Sequence, residues 1–499
     1  MSEPVRRVAL GAISGAAAVL AATIAGIIQL RLTVSYLPGS LAGTWILLLT
    51  LAGYLALLDF GFGTTLSREI AFASAMPVEA QKRARIAALI NTAKQFFLVI
   101  ALGLVASGVI AAVVGSSFIA PELRTAMLFF SLGAGVVLYG NTALVALFGL
   151  AYVGAERLVR AGAQILWVVL SYLFLKAGAG VVGLSVAWLL QGLCARIAAY
   201  ALLVRFVPWI RTEKGKARWD LFRFMLRPSL ATATVSLGAL LIIQSGTMVV
   251  AATIGLVSVP AFDALVKVSS AILTFSLLVV TASTPYVSRS VSRNDLGTTI
   301  MLITLNARIA LGISMSAAIF FAAFGDQIIA LWLGPSQFAG YYAMWIMLFF
   351  AVLEVHHVVL ATAVVAAGKV PFVFMALFSG FLTVALGVWL TPSYGLAGMA
   401  ASMVVAQVLS NSWYVPMYAF RYFKIRPMMY ARAVLPRVVV FFGVLSVGAI
   451  AARLCQAQYG LAVSIAFYVS VTLVAGLVII PTAEDRVWLR KFKGGSYAG

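Results

Sequence analysis

The sequence predicts an all-α polytopic membrane protein of about 14 transmembrane helices, built as two pseudo-twofold-related six-helix lobes plus a C-terminal helix pair. Three observations carry this. Of 499 residues, 63% are hydrophobic and only 10% are charged, with a mean hydropathy of +1.07; a soluble domain carries roughly a quarter charged residues. Cutting the chain at charges and turn residues leaves fourteen apolar runs, each close to the ~20 residues that a helix needs to cross a bilayer. Short motifs of the first half then recur, in order, in the second.

The runs lie near 8–30, 41–60, 90–114, 126–150, 161–179, 181–204, 229–251, 262–284, 300–323, 341–366, 371–391, 394–417, 434–453 and 461–480. The first follows MSEPVRR and could be read as a secretory signal with Ala16–Ala18 as its cleavage site. Its extent to Leu30 instead matches an uncleaved span, at about 1.5 Å of rise per residue. No loop is long enough to fold into a separate domain.

The net charge of +21 would suggest nucleic acid in a soluble chain, but here the basic residues are scattered over many short loops and no nucleic-acid partner is expected. One set of loops holds Arg6 and Arg7, Arg68 with Lys82, Arg83 and Arg85, Arg157 and Arg160, and the stretch from Arg205 to Arg227. It continues with Arg289 and Arg293, Lys369, Arg421 to Arg437, and Arg486 to Lys493. The opposite set offers little beyond Arg31, Arg124, Lys176 and Arg453. By the positive-inside rule both termini are expected in the cytoplasm.

Ile27-Ile28-Gln29 recurs as Ile242-Ile243-Gln244, and Ala93-Lys94 as Ala307-Arg308. Gly154 recurs as Gly368, and Gly180-x-x-Gly183 as Gly395-x-x-Gly398, always at a shift of 214 or 215 residues (93 to 307, 27 to 242). A six-span duplication predicts an N-terminal lobe at 1–220 with a basic linker from 205, a C-terminal lobe at 221–420, and an extra hairpin with a cytoplasmic tail at 421–499. Six is even, so the halves share one orientation and leave a cleft at the pseudo-twofold axis, where transporters of this design bind substrate.

Enzymatic chemistry finds no support. There are fourteen acids, no HExxH, no P-loop, and no carboxylate pair on a large external loop, as a membrane glycosyltransferase or polymerase would need. Cys194 and Cys455 show no metal-site spacing and are expected at different depths, so neither a disulfide nor a cofactor is predicted.

What remains is polar residues inside apolar runs, each costing about 2.5–3.5 kcal/mol at a helix centre on insertion scales. Lys94 and Arg308 occupy equivalent repeat positions; they either snorkel to lipid phosphates or hold an anionic diphosphate in the cavity. Arg196 lies deeper, with the same two readings. Asp263 and Lys267, at i and i+4, form an intrahelical pair unless Lys267 faces the cavity. Glu354, His356 and His357 cluster in the tenth span, and a Glu354–His357 pair could exchange a proton to couple transport, or tie helices together. Asp59 and Arg68 are either a local cap or part of a cytoplasmic gate. Gln29, Gln244, Asn91 and Asn141 could bond sugar hydroxyls or neighbouring helices.

The run LAGYLALLDFGFGTTLSREIA, within residues 43–71, resembles the second-helix signature of Wzx-type lipid-linked oligosaccharide flippases of the MATE-like (MOP) exporter superfamily. IIALWLGPSQF at 328–338 and YGLAGMAASMVVAQ at 394–407 extend the likeness over most of 1–420. The resemblance implies an alternating-access membrane fold. It also implies transfer of an undecaprenyl-diphosphate-linked glycan from the cytoplasmic to the outer leaflet of a bacterial inner membrane, for surface polysaccharide biosynthesis. Partners would be that lipid-linked glycan, membrane lipids, and the glycosyltransferases and polymerase of the same route. Many relatives have twelve spans, so the terminal hairpin is a departure. Lipid II flippases have fourteen, but their arginine-bearing first span has no close match here. A small-molecule exporter and a membrane glycosyltransferase rank behind both flippase readings. The ionisable set Lys94, Arg196, Lys267 and Arg308 against Asp263 and Glu354 leans cationic, which suits a diphosphate.

Overall fold

The computed structural model describes residues 3–115, 119–213, 215–482 and 485, and among these it is helical with no strand. The basic tail at 486–493 lies outside the described residues. Among the described residues, eleven segments are long and apolar enough to cross a membrane. Two of them, 373–422 and 427–479, each contain a sharp turn, at Gly395 and Gly460, and so supply two spans apiece; with the shorter helix at 39–58 the total is the expected fourteen. The chain divides into two compact units, residues 1–240 with 255–260, and residues 241–254 with 261–499.

In the first unit, α1 (Glu3–Tyr36) is followed by Pro38 and α2 (Gly39–Leu58). Asp59 closes α2, and Phe60 (φ 50°) and Gly61 (φ 72°) then take left-handed conformations before α3 (Phe62–Ser74) starts. On α3, Phe62, Leu66, Glu69, Ile70 and Ala73 are buried, the i, i+4, i+7 spacing of a helix with one packed face. α4 (Glu79–Val114) and α5 (Pro121–Tyr139) follow, with proline in the first turn of α5, where its missing N–H costs no hydrogen bond. Then come α6 (Asn141–Gly149), α7 (Val153–Lys176) and α8 (Gly180–Phe206), and α9 (Trp219–Thr253) begins.

At one end of this unit Phe62 stacks on Phe96, with ring centroids 4.3 Å apart, and on Phe222 at 5.6 Å. At the other, Trp45, Phe130, Trp167 and Trp188 form a second aromatic group. Between apolar helices in lipid, association depends on close packing rather than on expulsion of water. Gly43 shows how close: a Cβ there would lie 1.9 Å from the Leu256 carbonyl oxygen. Val99, Leu102, Ile110, Val113 and Val114 line the exposed side of α4, the surface that suits lipid.

The second unit holds the end of α9, then α10 (Val259–Ser292), α11 (Leu296–Leu333), α12 (Tyr341–Ala366), α13 (Val373–Leu409), α14 (Asn411–Tyr422) and α15 (Pro427–Ile479). Asp295 caps α11 by accepting from the Thr298 N–H at 3.0 Å, and bonding to Thr298 holds its carboxyl below the usual range. A polar clasp joins the turn of α15 to the end of α11: Arg453 meets Asp326 at 3.0 Å, Gln456 donates to Gln327 at 2.8 Å, and the Tyr341 hydroxyl donates to Asp326 at 3.1 Å.

The repeat has a conformational counterpart. Gly180 (φ 54°) and Gly395 (φ 59°) are both left-handed, each at the turn between two spans. Gly154 and Gly368 differ: Gly368 is left-handed (φ 79°), whereas near Gly154 that conformation falls on Ala151 (φ 64°). Both cysteines are exposed and free.

Candidate functional site

A polar chamber of the first unit lies between α1, the start of α3, α6, α7 and α8, and has a volume of about 680 Å³. Asp59 enters it from the left-handed turn after α2 and accepts from the Gly63 N–H at 3.3 Å. A Cβ on Gly63 would lie 2.8 Å from that carboxylate, so glycine is what lets the turn close over its own acid. Asn141 stands at the start of α6, beside Gly63.

From α7 come Glu156, Arg157, Arg160 and Gln164. Glu156 is buried and pairs with Arg160 one turn on. The Arg157 guanidinium lies against Gly15 of α1, and its Nε finds no hydrogen-bond partner among the described residues. From α8 come Trp188, Gln191 and Arg196. The Arg196 Nε donates to the Val137 carbonyl at 3.2 Å, and the side chain passes directly over Gly140, where a Cβ would meet its Cγ at 2.0 Å.

Arg196 also lines a second cavity of about 490 Å³ between α4, α5 and α8, with Asn91, Lys94, Tyr139, Tyr200 and Glu213. The Lys94 ammonium sits 5.8 Å from the Tyr200 ring centroid, a cation–π distance. Arg196 thus lines both cavities. Arg160 is neutralised by Glu156, while Lys94, Arg157 and Arg196 have no carboxylate within ion-pair distance among the described residues.

The structure therefore brings together Asp59, Asn141, Arg196 and, across Arg196, Lys94. Arg68 is not part of this group. It approaches Glu69 at 3.4 Å, while Asp59 bonds to Gly63, so the local Asp59–Arg68 pairing that the sequence suggests is not formed. Gln29 donates to the Ser171 hydroxyl at 2.7 Å, tying α1 to α7. Asn91 donates to the Gly215 carbonyl.

The remaining sequence candidates lie in the second unit. Arg308 is buried and meets Asp485 at 2.7 Å, so it is a neutralised cation and not the unbalanced one that its repeat position implies. Lys267 stands 4.0 Å from Asp263 on the same face of α10. Gln244 is half-buried on α9. Glu354 accepts from Gln407, whose Oε1 in turn accepts from Ser379 at 3.2 Å and Asn411 at 2.9 Å. The His357 Nδ1 lies 3.6 Å from Glu354, and His356 reaches the Tyr430 hydroxyl at 3.3 Å.

Sequence reading misses Glu156, Arg157, Arg160, Gln164, Trp188 and Gln191 as chamber residues, because it counts the two arginines as loop charges. The Glu156-x-x-x-Arg160 spacing is the signal that could have found them, since it marks a helix already under way. Among the described residues no group of His, Cys, Asp and Glu is arranged to hold a metal ion.

Comparison with known proteins rests on structure. No family model matches the chain, and no curated protein matches it. Solved structures do. An inward-facing multidrug resistance MATE family transporter of the MOP superfamily aligns with a TM-score of 0.66 at 16% identity, over 84% of this chain and 98% of that one. The lipid II flippase MurJ in an inward closed conformation aligns at 0.66 and 11% identity, over 92% and 97%. A MOP superfamily transporter from Pyrococcus furiosus aligns at 0.59 and 15% identity, over 87% and 97%. The chain has the fold of these multi-pass membrane transporters.

Proposed function

We propose that, on this fold, the chain is a flippase carrying a polyprenyl-diphosphate-linked oligosaccharide across a bacterial inner membrane by alternating access, cytoplasmic leaflet to outer leaflet. The observation that carries the reading is the gathering of Lys94, Arg157 and Arg196 around two cavities that share Arg196, without carboxylate partners among the described residues. A diphosphate is far too costly to move through hydrocarbon bare, and guanidinium groups answer its paired oxygens with paired donors. Gln164, Gln191 and Asn141 add donors and acceptors of the kind that sugar hydroxyls use. Both cavities fall in the range of small-ligand sites, about 300–1,000 Å³. Asp59, at the turn, is assigned to the gate on the basic-loop side. Glycosyltransferases would supply the substrate and a polymerase would consume it; no cofactor is needed. Lipid II carries the same diphosphate chemistry and is the second substrate reading, supported by the likeness to its flippase.

The test is to delete the gene and locate the lipid-linked glycan, then to complement with variants at matched expression. Complete units trapped on the cytoplasmic face are expected. Arg196→Ala removes charge-assisted hydrogen bonds worth about 1.5–3 kcal/mol, hence export falls roughly 10- to 100-fold, and Arg196→Lys recovers part of it. Unfinished units, or full export by Arg196→Ala and Lys94→Met together, would overturn the proposal.

A further inference from the structure

The second unit contains its own cation site, and the chain fills it. Arg308 stands on α11, 4% exposed, with its Nη2 2.7 Å from the Oδ2 of Asp485, which is 1% exposed; its Nη1 donates to the Ala433 carbonyl at 3.3 Å. Asp485 is separated from Arg308 by 177 residues and lies beyond the last span. The segment that delivers it is fastened twice more. Arg437 donates to the carbonyls of Ile479 at 2.8 Å and Pro481 at 3.2 Å, and the buried Ile480 rests against Gly312 of α11 and Phe441. Thr482 and Asp485 then cap each other: the Thr482 N–H donates to Asp485 Oδ2 at 2.7 Å, and the Asp485 N–H donates to Thr482 Oγ1 at 3.1 Å. A reciprocal cap of this kind turns the carboxylate inward at a fixed point.

Lys94 holds the equivalent position in the first repeat, and there the same place is an open cavity with no carboxylate paired to the cation among the described residues. One half of the duplication therefore presents its cation to a ligand, and the other presents its cation to the chain's own acid. We propose that Arg308 is a second anion site, of the phosphate or diphosphate class, and that Asp485 is its tethered competitor. Pro481, Thr482 and Asp485, fastened by the bonds above, are the strap whose release exposes the site. Tethering gives a carboxylate an effective concentration in the millimolar range or above, so a singly charged free anion does not displace it, whereas a polyvalent one bearing several oxygens does. The strap and its arginine belong to the second unit alone and are independent of the first unit's cavities.

The experiment uses the full-length protein in detergent and inorganic pyrophosphate as the probe, with sodium chloride at matched ionic strength as the control. Asp485→Asn keeps the shape of the residue and removes one charge-assisted bond to the buried Arg308, so its Tm is expected to fall below that of the unaltered protein. Millimolar pyrophosphate, binding the folded state only, is then expected to raise the Tm of Asp485→Asn by about 5 °C beyond any rise in the unaltered protein. The extra rise should vanish in Arg308→Gln/Asp485→Asn. Equal rises with and without Asp485, or a rise that survives loss of Arg308, would show the pair to be a plain structural staple. If Asp485→Asn cannot be purified, recovery only when pyrophosphate is present supports the site, and failure in both conditions overturns it. Arg196→Ala does not enter these outcomes, so a failed strap leaves the first unit's cavity to be judged separately.

Discussion

Arg196 shows how much one residue's placement can depend on what a neighbour lacks. Its Cγ occupies the space where Gly140 would carry a Cβ, 2.0 Å away, and its Cβ lies at 2.7 Å; rotation about χ1 moves the Cγ, but the Cβ cannot clear without moving α8. Gly140→Ala is therefore expected to displace the guanidinium shared by the two cavities at a cost of about 1–3 kcal/mol in stability. Export should drop more than abundance does, which a fluorescent fusion read beside a glycan assay would separate. Gly103 has no neighbour within 4 Å of a built Cβ, and Gly103→Ala should be silent in both. The same scale marks where sequence reading stops. Lys94 and Arg308 are indistinguishable by motif and shift, yet one opens on a cavity and the other pairs with Asp485. The acid that separates them lies outside every apolar run, and no periodicity reports a contact across 177 residues.

At the scale of elements, the spans were legible because a bilayer sets their length, and each predicted run is helical over most of its extent. Their ends were less so. Hydropathy marks only the part of a helix that meets lipid, while the helix itself continues into polar surroundings. The fifth run starts near 161, but α7 starts at Val153, and those extra two turns carry Glu156, Arg157 and Arg160 into the chamber. The turn after α2 is recognisable from its glycines, but not its consequence, which is that Asp59 bonds to Gly63 instead of reaching Arg68. Gly61, at φ 72°, is the residue on which this turn rests. Gly61→Ala forces a Cβ into the left-handed region and should cost about 1–2 kcal/mol. Thermal unfolding in detergent should show it, and a variant as stable as the unaltered protein would mean that the turn relaxes freely.

For the whole molecule, four short matches suggest a duplication, and one of them has a physical counterpart in the left-handed glycines at 180 and 395, since glycine takes that conformation at a chain reversal most readily. What motifs cannot supply is the fate of each half's polar residues. In the first unit they converge on two cavities; in the second they are consumed by Gln407, Asp263 and Asp485 in ties between and along helices. A duplicated fold thus carries an unduplicated set of contacts.

The two free thiols turn this into a direct reading of sidedness. Cys455 is exposed near the turn at Gly460, while Cys194 is exposed on α8 beside Leu193 and Ile197, which line the second cavity. Maleimide consumes a thiolate, and an impermeant one added outside reaches only thiols open to that side, which on the expected orientation means the turn carrying Cys455 and not the middle of α8. Applied to intact spheroplasts, it should therefore modify Cys455 alone, and Cys455→Ser should abolish the signal. Labelling that requires broken membranes would reverse the inferred orientation. The unaltered chain already carries its own reporter of which way it sits.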